Sequence, residues 1–451
     1  MFRRKILEHM MSWKKSTLSE KKALVIKGLR QIGKTFTALE YARSMYENVI
    51  YINFKDDDTM KSVFEGDLIV DRIIMDISAR MPDVSIVPNK TIFVFDEVQE
   101  CSNARASIKP FMLDGRFDVI CTGSLLGIKG YNKKNGKGIP TGFEHTIYMK
   151  PMDFEEFLWA KGIDEKVIDQ IKDCFKDRKP VSPAIHSSMI RYFKEYICVG
   201  GLPHIVDVFL KTHDMNAVRS EQLDILDEYR DDFGKHLDEN ESEYTDKVLL
   251  ARINSVFDSI PVQLSKENKK FQYSMLRKNA RGNEYAAAIQ WLTDFGLVVK
   301  CHNLSLLQLP LEGNKEEDTF KLYVQDTGLF IAMLEPGSAG DILSGDMGIY
   351  KGAVYENIIA DTFSKMGCKL YYYRRDSGME IDFVMRMDGK PVLIEVKSKT
   401  GKTKSALQIL SHPETYGVDE CFRLNESNVG RNGNITTIPQ YMAFLLTGDA
   451  E

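Results

Sequence analysis

Along the first 150 positions, apolar residues fall in short continuous runs separated by stretches with helical spacing. The runs at 23–26, 48–54, 91–95, 118–121 and 145–149 read as strands. A strand buried on both faces is apolar throughout, so the pattern predicts parallel strands, not half-exposed antiparallel ones. Helical spacing over 35–44 and roughly 67–80 lies between them. The expectation is an α/β fold, a five-stranded parallel sheet with helices on both faces.

Beyond position 150 the pattern changes. Residues 151–250 read as helical and charged, broken at the GGLP run of 200–203. Apolar residues at helical spacing in 153–159 suggest a lid beneath the first domain. Glu228, Asp231 and Asp232 form an acidic cluster that reads as a solvated helix face. The run 271–301 suggests a winged helix: a short helix at 274–278, a turn at Gly282-Asn283, a helix over 284–295 and a strand at 297–300. A Gly-, Ser- and Asp-rich loop at 335–348 marks a boundary, after which come a helix bearing Glu356 and strands near 369–373, 379–384 and 392–397. Four domains are therefore expected: 1–150, a helical 151–250, a winged-helix-like 251–338, and an α/β 339–451.

Chemistry concentrates first between 28 and 35, where GLRQIGKT has the spacing G-x-x-x-x-G-K-[ST] between a strand and a helix. Such a loop curls its backbone N–H groups around phosphates and adds the positive end of the following helix. Gly28, Arg30, Gln31, Ile32, Gly33, Lys34, Thr35 and Phe36 are the candidate nucleotide-binding residues. Lys34 would reach the β- and γ-phosphates, and the Thr35 hydroxyl would hold Mg²⁺. The buried run at 91–95 ends in Asp96-Glu97 at the carboxyl edge of the sheet, where ligands of such folds sit. Asp96 is placed to meet the Mg²⁺, and Glu97 to orient or deprotonate the attacking water. Thr122 and Ser124 end the next strand and could sense the γ-phosphate.

Composition narrows the class. A 43% hydrophobic and 28% charged chain with net charge −5 is an ordinary globular composition, and only local patches could attract nucleic acid. No apolar run approaches a membrane span, and no secretory h-region follows the N-terminus. Seven scattered cysteines without a C-x-x-C pair argue for reduced thiols and a cytoplasmic location. Lys266, Lys269, Lys270, Arg277, Lys278 and Arg281 make the start of the winged-helix-like segment locally basic, although its second helix offers no Arg or Lys to read bases.

GLRQIGKT, TIFVFDEVQE, CTGSLLGI and YMKPMDFEEFLWA together resemble a large prokaryotic family of AAA-type P-loop ATPases whose members carry a C-terminal domain with a restriction-endonuclease-like fold. The run 322–329 (LYVQDTGL) matches a further motif of that family. The resemblance implies an arginine just before the last strand of the ATPase sheet. Here Thr141-Gly142-Phe143 stands in its place, and no arginine occurs between Arg116 and Arg178. Lys133, Lys134 and Lys137 lie nearby but lack a guanidinium's bidentate fork. The C-terminal pattern resembles the PD-(D/E)xK nuclease core: Glu356 on a helix, Asp382 on a strand, then Glu395 and Lys397 on the next. Strand period two puts Glu395 and Lys397 on one face. Asp382 and Glu395 would supply oxygen ligands to Mg²⁺, with Lys397 helping to generate hydroxide and Glu356 completing the outer shell. Arg374, Arg375, Lys399, Lys402 and Lys404 around this set suit a polyanion.

The resulting expectation is an ATPase using ATP and Mg²⁺, coupled to DNA binding or metal-dependent DNA cleavage as in mobile-element or phage-defence systems, and compatible with a homo-oligomer. The alternative is a nucleotide-controlled binding switch whose nuclease-like domain recognises a partner without cutting.

Overall fold

Residues 4–150 hold five strands, β1 (Ala23–Lys27), β2 (Asn48–Asn53), β3 (Thr91–Asp96), β4 (Asp118–Gly123) and β5 (Glu144–Tyr148). They pair in parallel in the order β2-β3-β4-β1-β5. The computed structural model describes residues 2–16, 20–123, 142–235, 243–346, 348–397 and 404–448. The chain separates into two compact units, Arg4–Lys150 and the remainder. Ser124, Lys133, Lys134, Lys137, Thr141, Lys399 and Lys402 lie outside the described residues.

All six residues of β3 and of β4 are buried, which is why their sequences carry no polar alternation. Phe93 packs edge-on against Phe111 and Phe117, with ring centroids 5.1 and 5.4 Å away, while Phe95 meets Phe54 and Phe64 on the same side. The strand order decides where chemistry can occur. It sets β4 between β3 and β1, so Thr122 stands between the end of β3 and the loop after β1. A helix Ile6–Ser16, unmarked by any sequence motif, buries Met10 and Trp13 and receives the Tyr41 hydroxyl on the Met10 carbonyl.

The second unit begins with helices. Phe154–Ala160 starts in a capping box: Asp153 accepts from the Glu156 N–H, and the Glu156 side chain accepts from the Asp153 N–H. In the acidic cluster, Glu228 and Asp231 are exposed, but Asp232 is buried. Helical period places Asp232 on the stripe of Tyr229 and Phe233, so the expected solvated face holds for only two of the three acids.

The strands of this unit are β6 (Val298–Leu304), β7 (Lys315–Val324), β8 (Leu370–Arg374), β9 (Glu380–Met387), β10 (Lys390–Val396), β11 (Cys421–Asn425), β12 (Gly430–Asn432) and β13 (Ile435–Pro439). They form one mixed sheet, β12-β13-β11-β10-β9-β8-β6-β7. The strand of the winged-helix-like segment and those of the C-terminal segment therefore lie in one sheet. The helices anticipated there exist as a short turn Tyr273–Met275 and a helix Gly282–Phe295. Its strand, however, runs on to Leu304 and pairs in parallel with β8, so both segments share one sheet. The boundary loop at 335–348 likewise contains a helix, Ser338–Ser344. Across the sheet lies the helix Lys351–Lys365, continuously buried from Ala353 to Ser364.

The 322–329 motif acquires a structural role. Asp326 caps the helix Thr327–Ala332 by accepting from the Leu329 N–H at 3.2 Å, and accepts from the Gly201 N–H at 2.6 Å. Asp361 accepts the Asp326 N–H at 3.1 Å and pairs with Lys365 at 2.9 Å. Backbones meet closely here. A Cβ on Gly201 would lie 2.0 Å from the Met152 carbonyl oxygen, and one on Gly328 would lie 2.4 Å from that of Val199. Gly201→Ala should therefore destabilise the protein by about 1–3 kcal/mol, the range for overpacking. Denaturant unfolding checks this, and an unchanged midpoint would contradict it. Among the described residues no helix is long and apolar enough to cross a membrane.

Candidate functional site

The loop leaving β1 is forced into shape by close contact. Gly28 has φ 158°, and a Cβ there would lie 2.3 Å from the Met149 carbonyl oxygen. Gln31 and Gly33 take φ of 62° and 86°, turning the chain into the helix Lys34–Met45 with Gly33 as its cap. Arg4, from the segment before the first helix, donates to the Ile32 carbonyl at 3.1 Å and to the Lys150 carbonyl at 2.6 Å. It ties the loop to the end of the domain.

Lys34 is buried, and its ammonium donates to the Gly28 carbonyl at 3.0 Å and the Leu29 carbonyl at 2.6 Å. The loop thus holds the lysine at its own mouth, as a phosphate would. Burial pushes the Lys34 amine down to about 8, against an upward pull from Glu97 and Asp96. Thr35 Oγ1 lies 2.9 Å from both Asp96 carboxylate oxygens. Tyr51 donates to Asp96 at 2.9 Å from β2, and Thr122 donates to the same carboxylate from β4. A hydroxyl and a carboxylate gathered at one point are the hard oxygen donors that Mg²⁺ takes, so Thr35 and Asp96 fit that ion. Glu97 has left-handed backbone angles, φ 50° and ψ 46°, and its carboxylate accepts from the Gln99 amide. A non-glycine residue held there at the end of a central strand is the kind of backbone strain that concentrates at functional sites.

Gly28, Gly33, Lys34, Thr35, Asp96, Glu97 and Thr122 are therefore brought to one edge of the sheet. The Thr122 hydroxyl is engaged by Asp96, which makes it a positioning group for that carboxylate. Gln31 and Phe36 are exposed, Ile32 is buried and Arg30 half-buried. Arg4 and Tyr51 were not found from sequence, since each acts through an isolated contact that no local motif announces.

The second set, in the C-terminal sheet, also converges. Asp382 on β9 accepts the Val396 N–H at 2.8 Å and lies 3.5 Å from the Lys397 ammonium, which also pairs with Glu395. Glu356 meets Lys269 and, at 3.5 Å, Lys321, and accepts from the Tyr323 hydroxyl at 3.1 Å. Burial, reinforced by the Asp382 carboxylate, pushes Glu395 up to about 7 against the pull of Lys397. Burial and Glu356 raise Asp382. Burial works the same way on Glu356, but Lys321 and Lys269 outweigh it and hold that carboxyl at about 2. Among the described residues no group of three or more His, Cys, Asp or Glu side chains is assembled to hold a metal ion. As arranged, the acids meet lysines instead of one another, and the set does not fit a bound Mg²⁺. Lys269 and Lys321 are additions that sequence reasoning had not connected with Glu356.

Residues 20–158 match a family model described as an AAA domain. The first unit is an AAA-type P-loop ATPase domain. Residues 190–339 and 351–441 match two models, each described as a domain of unknown function (DUF8612 and DUF4143). No curated protein matches the sequence. Solved structures with similarity include the Walker-type ATPase paby2304 of Pyrococcus abyssi, at 13% identity and TM-score 0.44, covering 74% of this chain and 96% of that one. AMPPCP-bound DnaA from Aquifex aeolicus matches at 10% identity and TM-score 0.29, covering 65% of this chain and 90% of that one.

If Lys34 meets the phosphates, as the spacing of the loop predicts, ATP binding should depend on pH: the phosphate-bound lysine would be charged, whereas burial brings the free amine down to about 8. Above that pH, binding must take up a proton, so affinity should weaken by up to about tenfold per pH unit and stay flat below. ATP titrations from pH 7 to 9.5 test this, and a flat profile would contradict it.

Proposed function

We propose that the AAA domain hydrolyses ATP with Glu97 as the base, and that its nucleotide state controls how the second unit engages DNA. The observation that carries the catalytic half is the Thr35–Asp96 contact at 2.9 Å, with Glu97 next in the chain. On binding, Lys34 would exchange its Gly28 and Leu29 carbonyls for phosphate oxygens. Mg²⁺ at Thr35 and Asp96 would polarise the γ-phosphate. Tyr51 and Thr122 would keep Asp96 in place, and Gln99 would hold the Glu97 carboxylate while it takes the proton of the attacking water. Arg105 is already committed, gripping Glu144 with two nitrogens at 3.0 and 3.1 Å, so it supplies no free guanidinium to the phosphates.

The DNA half rests on the basic run Lys266 to Arg281 and on the nuclease-like order of helix, strands and carboxylates. Arg277 pairs with Glu284 at 2.9 Å, and Lys270 lies 3.4 Å from the Thr319 hydroxyl, so both would exchange weak contacts for phosphates. Supercoiled plasmid with Mg²⁺, with and without ATP, tests this reading. Retention or nicking should depend on ATP and lose that dependence in Lys34→Ala. Equal behaviour with and without ATP would contradict it.

A second reading, a nucleotide-controlled switch that binds without cutting, is favoured by the pairing of Glu356, Asp382 and Glu395 with lysines. It predicts plasmid retention with no strand break in either Mg²⁺ or Mn²⁺.

A further inference from the structure

In a trans peptide the C=O and the N–H of the next residue point in opposite directions, so whatever holds a carbonyl also aims the donor beyond it. At the start of the helix Lys34–Met45 the helix does this itself. The Gly33 carbonyl accepts the Thr37 N–H at 2.9 Å, which turns the Lys34 N–H out of the helix end, the side on which an anion is bound. The peptide one step earlier, Ile32–Gly33, lies outside the helix. Gly33 carries no Cβ and tolerates either sign of φ, so this peptide can turn over easily. Its observed orientation, with Gly33 at φ 86°, is held from outside the loop. The Arg4 guanidinium donates to the Ile32 carbonyl at 3.1 Å.

We propose that Arg4 is a positioning residue for nucleotide binding: by holding the Ile32 carbonyl it keeps the Gly33 N–H turned to the phosphates. The proposal rests on the loop's role as a phosphate cradle and adds a residue that the loop's own motif does not contain.

Arg4 is itself well fixed. It is buried, and its carbonyl accepts the Leu7 N–H at 3.3 Å as the helix Ile6–Ser16 begins. That helix buries Ile6, Met10 and Trp13, and Tyr41 of the loop's own helix donates to its Met10 carbonyl at 3.2 Å. The arginine therefore reaches the loop from an element docked on the helix whose N-terminus would receive the phosphates.

The second carbonyl that Arg4 holds is equally fixed. The Met149 N–H donates to the Lys27 carbonyl at 2.7 Å, carrying the β1–β5 pairing up to the loop, and the Met149 carbonyl closes on Gly28. Arg4 donates to the next carbonyl, that of Lys150, at 2.6 Å. Residues 149 and 150 are thus a floor beneath both ends of the loop, meeting Gly28 directly and Ile32 through Arg4. A planar guanidinium spans the two carbonyls with separate nitrogens, whereas an ammonium offers a single one. A cation on a carbonyl also polarises its peptide and strengthens the N–H on the far side. Arg4 would in this way favour an anion that it never touches.

The test is titration of the 451-residue chain with ADP and with ATP, each with Mg²⁺, below the melting range of every variant. Arg4→Gln should weaken both nucleotides by about tenfold or more, the change carried by a hydrogen bond from a charged group. The two losses should match, because the cradle serves phosphates that both nucleotides share. Arg4→Lys keeps the charge and loses the fork, so its loss should be smaller but measurable. A residue that only secured the N-terminal helix would lower the melting temperature and leave the affinity of the folded protein unchanged. That result in Arg4→Gln, or in Arg4→Lys where the first variant does not fold, would overturn the proposal. Lys34→Ala, titrated alongside, separates the two readings. Affinity lost there but kept in the Arg4 variants would remove Arg4 alone, and affinity kept in all of them would remove the phosphate cradle as well.

Discussion

Glu97→Gln should yield a protein that binds ATP with nearly wild-type affinity and turns it over about 10²–10⁴-fold more slowly, the range for loss of a positioned general base. The substitution is nearly isosteric. It keeps an oxygen for the Gln99 amide and leaves Lys34, Thr35 and Asp96 untouched. The left-handed backbone at Glu97 tolerates Gln as well as Glu, because both carry the same branching at Cβ. What disappears is the capacity to accept a proton from water. Steady-state phosphate release beside equilibrium nucleotide binding separates the two effects. Undiminished turnover would remove Glu97 from the mechanism.

Lys34→Ala should weaken ATP binding by roughly 10²–10³-fold, taking a lysine–phosphate contact at about 4 Å as on the order of 4 kcal/mol at an effective dielectric of 20, less what its present carbonyl partners return. In the nucleotide-free protein the ammonium is buried and donates to Gly28 and Leu29. Removing it abolishes that desolvated charge, so the fold should tolerate the change. The loss should appear in binding and not in the melting temperature of the free protein. Isothermal titration with ATP and Mg²⁺ measures it, and retained affinity would show that the loop does not engage phosphate through this side chain.

The AAA domain was legible because its signals are local. A glycine-rich loop between an apolar strand and a helix, and an apolar strand ending in two acids, carry their chemistry within a few residues. Continuous apolar runs likewise announced all five parallel strands, with β3 and β4 fully buried as such runs require. The N-terminal helix escaped notice because nothing in its sequence distinguishes its docking partner. Arg4 and Tyr51 are single polar contacts made across the fold.

The second unit was less legible because its logic is non-local. Its strands near 370–396 and the convergence of Asp382, Glu395 and Lys397 follow from period two and antiparallel pairing. That β6 would continue the same sheet depends on which edge β8 leaves open, and no pattern within 297–300 encodes it. Lys269 reaches a carboxylate 87 positions away, and one lysine in a basic run gives no sign of which acid it will meet. The role of the QDTG motif required the tertiary neighbours Gly201 and Asp361.

The most direct measurement is a single turnover of ATP prebound with Mg²⁺ to the 451-residue chain, quenched in acid, for the wild type and Glu97→Gln side by side. The wild type should convert the bound ATP to ADP while Glu97→Gln retains it intact over the same interval. Equal conversion by both proteins would contradict the assignment of Lys34, Thr35, Asp96 and Glu97 as one hydrolytic site.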